Sequence, residues 1–218
     1  AGVEVSGIEI SKNFPTGRAF VMLEQNGENR IVVIPGANQD IQPEMITRHN
    51  KLLDACDVVV MQLEIPLDVV VYAAKEAKKR GKLVILDPAP ASRNLPNELL
   101  KNVDIIKPNE TELSEISGVL IKTKEEMEFA ASELLKRGVR AVVATRGEKG
   151  VFVAAEGYQE YFSAEKVPVV DTTAAGDSFT AALASFVSKE RFREAVLFAN
   201  RVASYTVQKK GAQASLCL

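Results

Sequence analysis

Apolar and polar positions alternate in short runs over residues 2–34, with turn-rich breaks at 13–17 and 25–29, a pattern that predicts a small antiparallel meander. After Pro35 the texture changes. QPEMITRHNKLLDAC, 42–56, places its apolar residues at helical spacing, and DVVVMQLE, 57–64, follows as a nearly continuous apolar run suited to a strand buried on both faces. The unit repeats with a helix in PLDVVVYAAKEAKKRG, a strand in KLVILD, a proline-rich loop and a strand in VDIIKPN. Further on, the sequence predicts helices over 110–117 and 124–137, a strand in RAVVAT, and a hairpin of strands over 150–154 and 157–162. A strand in KVPVV, 166–170, and helices over 174–188 and 191–209 complete the reading. Alternating strands and helices predict a layered, mostly parallel sheet, with a boundary near residue 35 between a β-rich appendage, 1–35, and an α/β body, 36–218.

Composition narrows the partners. The chain has 218 residues, 46% of them hydrophobic, enough for one sizeable core, and its net charge of -2 gives no basic field for nucleic acid or an anionic membrane. Small soluble ligands become the expectation. The two cysteines, Cys56 and Cys217, lack ligand spacing and read as reduced thiols, and no run approaches the length of a membrane span. These features predict a cytoplasmic protein. His49 and the basic run at 75–82 read as ordinary solvated positions.

Three segments carry chemistry. DTTAAGDSF, 171–179, sets small residues between a predicted strand and the apolar helix SFTAALASFV. At such a turn the first N–H groups of the helix are unpaired and the helix dipole favours an anion, so Ala174, Ala175 and Gly176 leave room for a phosphate to approach. Asp177 then stands where a carboxylate accepts a hydroxyl proton in phosphoryl transfer. A capping role for Asp171 or Asp177 is the alternative at this point. In IIKPNETEL, Asn109 and Glu112 share one face of a helix start, suited either to phosphate and hydrated Mg²⁺ or to a capping box. VVATRGEKG places Thr145, Gly147 and Gly150 in a loop after a strand, open to a nucleotide phosphate or to a simple turn. Loops at the carboxyl ends of parallel strands form the usual ligand crevice.

DTTAAGD, PNETE and TRGEKG together resemble the ribokinase branch of the PfkB carbohydrate kinase family, and MQLE at 61–64, DPAPA at 87–91 and KKGAQ at 209–213 extend the resemblance along the chain. It implies a ribokinase-like α/β/α sandwich with a mostly parallel sheet and a β-meander lid remnant. It further implies transfer of the ATP γ-phosphoryl group to the primary hydroxyl of ribose. On the matching positions, Asp177 is the base and Ala174, Ala175 and Gly176 are the anion hole. Asn109 and Thr145, Arg146, Gly147, Glu148, Lys149 and Gly150 hold ATP or ADP, with Asn200 near adenine. Glu64 contacts the sugar, Glu112 serves Mg²⁺, and Asp171, Thr173, Thr206, Lys209, Gly211 and Ser215 hold an activating K⁺.

The chain departs from the family pattern at both ends. The family's first sugar-binding strand and its Gly-Gly-Lys-Gly-Ala-Asn sugar loop find no counterpart, since GAN at 36–38 matches a later position, and the family normally continues past ASLCL into a final helix. Relative to the family both ends are expected to be truncated. Uncovered apolar surface and a strand edge then predict a homo-oligomer or a covering partner. A nucleotide-binding remnant without sugar kinase activity, and a purely structural α/β module, stay open as alternatives.

Overall fold

The computed structural model describes residues 2–23, 29–187 and 191–216, and at 21–23 and 29–31 the backbone alone. Strands β1 (Arg18–Leu23) and β2 (Asn29–Ile34) pair antiparallel as a ribbon, in register from Arg18 opposite Ile34 to Leu23 opposite Asn29. The expected meander is therefore smaller than its sequence pattern: residues 2–17 form no strand. Val3, Val5, Ile8 and Ile10 alternate but lie exposed, and among the described residues no strand pairs with them. The break read at 25–29 falls largely outside the described residues, and Asn29 itself opens β2.

The body begins with two short helices, α1 (Pro43–Arg48) and α2 (Asn50–Ala55), where one was expected. His49 interrupts them with φ -102° and ψ 23°, its ring 3.0 Å from Glu9 Oε1 while Arg48 pairs with the same carboxylate. Then follow β3 (Val58–Met61), α3 (Leu67–Lys79), β4 (Leu83–Leu86), α4 (Asn97–Leu100), β5 (Ile105–Ile106), α5 (Glu110–Ser117), α6 (Lys124–Lys136), β6 (Ala141–Thr145), β7 (Val151–Ala155) and β8 (Tyr158–Phe162). Helices α7 (Ala175–Phe186) and α8 (Phe192–Thr206) complete the described elements, and Ser188, the expected end of α7, lies outside them. The four-residue α4 has no counterpart in the sequence reading.

Strands β3 to β8 form one sheet in chain order, parallel from β3 to β6 and antiparallel from β6 to β8. Strand periodicity sorts the core. Val84, Leu86, Val142, Ala144, Phe152 and Ala154 face α3, α5 and α6, whereas Ile85, Val143, Val151 and Val153 face α7 and α8. Both faces are covered, which is why these strands read as continuous apolar runs rather than as alternation. Residues 163–169 form no strand, contrary to the reading of KVPVV. Pro168 has no N–H to donate, and the segment runs out from β8 along the cleft described below instead of pairing with the sheet.

Candidate active site

The parallel strands all deliver their carboxyl ends to one edge of the sheet. Glu64 lies in the exposed bend after β3, Asp87 follows β4, Lys107 and Asn109 follow β5, and Thr145 ends β6. Two of these loops are joined by backbone: Thr145 N–H donates to Pro108 O at 2.9 Å, and Asn109 bridges to Thr145. Asn109 caps α5 by accepting from Glu112 N at 2.8 Å, while the Glu112 carboxylate accepts from Asn109 N at 2.8 Å. The capping-box alternative is thus realised. Glu112 is half-buried, and burial pushes its carboxyl above the usual range, partly opposed by the Asn109 N–H and by the Lys107 ammonium.

The TRGEKG loop turns at Gly147, with φ 53°, and at Gly150, with φ 92° and ψ -130°. Gly150 N–H donates to Gly147 O, and Arg146 N–H donates to Gly150 O. The Arg146 side chain does not line the cleft beside this loop. It pairs with Glu110 at 3.2 Å and lies over the Tyr161 ring, so it anchors the loop instead.

Residues 171–177 enter α7 from an extended segment rather than from a strand, which corrects the strand-to-helix placement. Ala174 adopts φ 62° and ψ 10°, a left-handed conformation that costs an L-residue about 1–2 kcal/mol. Such a residue directly before a helix turns successive N–H groups into one concavity suited to an anion. Ala175 N–H donates to Thr172 O, whereas among the described residues the N–H groups of Gly176 and Asp177 find no acceptor. Asp177 is exposed on the first turn and makes no capping bond there. Strain held at a solvent-facing turn is characteristic of a working site.

A cleft of about 590 Å³ runs between these elements. Thr145, Gly147, Glu148, Lys149 and Gly150 line one side, Ala175, Gly176 and Asn200 another, so eight residues singled out from the sequence meet here. Asn200 is buried and its amide donates to Ser163 O at 2.9 Å, fixing the start of the segment whose Ala164, Glu165, Lys166, Val167 and Val169 form a wall. That wall, with Phe179, Ala203, Ser204 and Val207, escaped the sequence reading because its residues follow no ligand pattern.

Asp171 ties the start of this region to the segment after α8. Its Oδ1 accepts from Thr173 N at 2.9 Å and its Oδ2 from Gly211 N at 2.9 Å, and the Thr173 hydroxyl, followed by these N–H groups, holds its carboxyl down at about 2. The backbone reinforces the tie, since Val170 and Asp171 N–H groups both donate to Val207 O. Thr206 spends its buried hydroxyl on Ser178 and Val202, Ser215 donates to Ala212 O, and the Lys209 ammonium rests over the Tyr205 ring. Asp171, Thr173 and Gly211 are therefore joined directly, and Thr206, Lys209 and Ser215 through backbone alone or not at all.

Cys56 is a half-buried free thiol, Cys217 lies outside the described residues, and among the described residues no helix is long and apolar enough to cross a membrane. The description "pfkB family carbohydrate kinase" belongs to the family model that matches residues 1–217. Ribokinase of Staphylococcus aureus is 39% identical over 220 residues, covering all of this chain and 72% of that protein. Ribokinase of Haemophilus influenzae is 38% identical, covering 99% of this chain and 70% of that protein. The solved structure of Arabidopsis thaliana ribokinase complexed with ribose and ATP superposes with a TM-score of 0.85 at 39% identity, over 94% of this chain and 67% of that one. A cleft walled by the very loops that carry the sequence motifs, and likeness of this extent in both sequence and fold, make this chain a member of the pfkB family of carbohydrate kinases.

Proposed function

We propose that the chain transfers the γ-phosphoryl group of ATP to the primary hydroxyl of D-ribose, giving D-ribose 5-phosphate and ADP. The observation that carries this reading is the exposed Asp177 on the first turn of α7, adjoining Gly176 at the mouth of the cleft. ATP occupies the cleft with its phosphates toward Gly147, Gly150 and the turn before α7, and its base toward Asn200. Asp177 takes the proton of the sugar hydroxyl as that oxygen bonds to phosphorus and the bond to the ADP oxygen breaks. The N–H groups at Gly176 and Asp177 hold the charge that spreads over the transferring oxygens. Glu64, on the same edge of the sheet, contacts the sugar.

Two ions belong to this reading. Among the described residues no cluster of three or more His, Cys, Asp or Glu is placed to hold a metal. Mg²⁺ suits such a site, because it keeps waters and binds substrate phosphates with one or two carboxylates, here Glu112. The tie between Asp171 and Gly211 offers a carboxylate that stays ionised, a hard oxygen donor of the kind that would suit K⁺. Bound there, K⁺ would steady the entry to α7. We take residues 1–35 as a lid and 36–218 as the body of a cytoplasmic homo-oligomer. Phe20, Val32, Val33 and Ile34 of the ribbon are exposed and offer the apolar contact for such assembly.

The test is ATP consumption with Mg²⁺ and K⁺, with and without ribose, beside Asp177→Asn. Turnover that needs ribose and falls by about 10²–10⁴-fold in the variant is expected. Equal rates in both proteins would overturn the assignment of Asp177, and ADP binding without any turnover would favour the nucleotide-binding module.

A further inference from the structure

Strands β4 and β5 each end on a buried charge, and the two charges are opposite. Asp87 and Lys107 are both 4% exposed, with Lys107 Nζ 2.8 Å from Asp87 Oδ2. Removing two ions from water is costly, and apolar side chains of similar volume often fill such a space with equal or better stability. The pair therefore needs a reason other than holding the core together.

Its surroundings supply one. A β-carbon built on Gly176 would lie 3.4 Å from Lys107 Nζ, so the ammonium stands directly beneath the first turn of α7. One turn later, the Thr180 hydroxyl lies 3.0 Å from Asp87 Oδ2 and 2.9 Å from Gly176 O, bracing the carboxylate against that same turn. Lys107 has three N–H donors, and among the described residues Asp87 is their one partner, which leaves donors under a turn whose own Gly176 and Asp177 N–H groups lack acceptors. The positive charge under the turn has the sense of the helix dipole, and the two effects add.

We propose that Lys107 is a positioning residue for phosphoryl transfer: locked by Asp87 and braced through Thr180, its ammonium fixes the Gly176 turn and with it the anion-binding N–H groups and the Asp177 carboxylate. The inference rests on reading the start of α7 as the anion hole. Lys107 acts through the turn, not by touching the sugar. A neutral side chain of the same length leaves the turn without its charge and leaves Asp87 stranded.

Lys107→Met and the double variant Asp87→Asn/Lys107→Met separate this role from simple stability. For each we would measure Tm, kcat, KM for ATP, and the affinity for ADP with and without aluminium fluoride, a mimic of the transferring phosphoryl group. The single variant is expected to melt lower and the double variant to recover, since no unpaired charge remains buried. Both are expected to lose kcat by about a hundredfold, the scale of a small misplacement of reacting groups, with KM for ATP little changed. Both should also lose the extra affinity that aluminium fluoride gives to ADP. Recovery of kcat together with Tm in the double variant would overturn the inference and leave the pair a packing device. Should the unaltered chain show no ribose-dependent turnover, the proposed reaction falls, and aluminium fluoride still decides on Lys107. Retention of the affinity gain in the double variant, or its absence from the unaltered chain, overturns the inference.

Discussion

Gly150 is the position where the cleft depends most directly on the absence of a side chain. Its φ of 92° and ψ of -130° fall where L-residues rarely go, and a β-carbon there would lie 2.6 Å from Ala164 N and 2.8 Å from Ser163 C, closer still to Phe162 O. All three are backbone atoms, so no side chain can swing aside. Gly147 provides the internal control: its φ is 53°, and a β-carbon there meets nothing within 4 Å. Gly147→Ala thus carries the left-handed strain alone, about 1–2 kcal/mol. Gly150→Ala adds the cost of forcing backbone apart, about 1–3 kcal/mol by analogy with overpacked cores. For a chain of this size each kcal/mol moves Tm by about 2–4 °C, so Gly150→Ala should melt lower than Gly147→Ala by roughly 2–12 °C. Urea unfolding with an unchanged m-value would place the loss in the folded state. ADP affinity should fall with it, because displacing residues 162–164 moves the wall that Asn200 fixes. A Gly150→Ala protein as stable as Gly147→Ala would refute the reasoning from backbone approach.

Two further predictions concern carboxylates. Burial raises the folded pKa of Glu112 above its ordinary value, so its ionised form costs stability, a cost absent at low pH and complete once pH has risen through the raised pKa. Glu112→Gln keeps an acceptor for Asn109 N–H and should melt no lower than the parent at pH 7 while losing Mg²⁺-dependent turnover, whereas Glu112→Ala should lose about 1 kcal/mol with its cap. Thermal melts of both variants at pH 7 and pH 4 read the difference. Asp171 is depressed from 3.8 to about 2, first by the Thr173 hydroxyl and then by the N–H groups of Gly211 and Thr173. Its stabilisation is present above 3.8 and disappears as pH falls through about 2, so the stability gap between the parent and Asp171→Asn should be level at neutral pH and close across that acid window. A gap that instead narrowed between pH 5 and 7 would discount the tie to Gly211.

Legibility in the sequence followed local rules. Helices α5 and α6 lie where the sequence predicts them, within a residue, because Asn109 with Glu112 and Thr123 with Glu126 form capping boxes and Gly118 closes α5 at φ 74°. The buried strands were equally plain, being apolar on both faces. Misreadings arose where pattern needs a partner: the alternation of 2–17 and of KVPVV resembles strands, yet a strand exists only when a neighbour completes its ladder. Within the site, the loops of Thr145 to Gly150 and of Ala174 to Asp177 were readable because small residues at a turn announce close approach. The part played by Arg146 was not, since only the fold puts Glu110 and Tyr161 beside it. The buried pair of Asp87 and Lys107 was likewise hidden, two ordinary charges twenty residues apart until parallel strands bring their ends together.

Because the sheet repeats chain order from β3 to β8, each strand emerging from the ribosome can dock on the one synthesised just before it, although the parallel neighbours are joined by helical crossovers rather than by short loops. Helices α7 and α8 follow these strands in the chain and pack chiefly on each other and on the face of Ile85, Val143 and Val153. The cleft draws on both the sheet and this later layer, so it is complete only when the second face has been laid down. A nucleotide held there, as proposed above, would work as a clasp between the two layers, holding α7 and α8 against local opening.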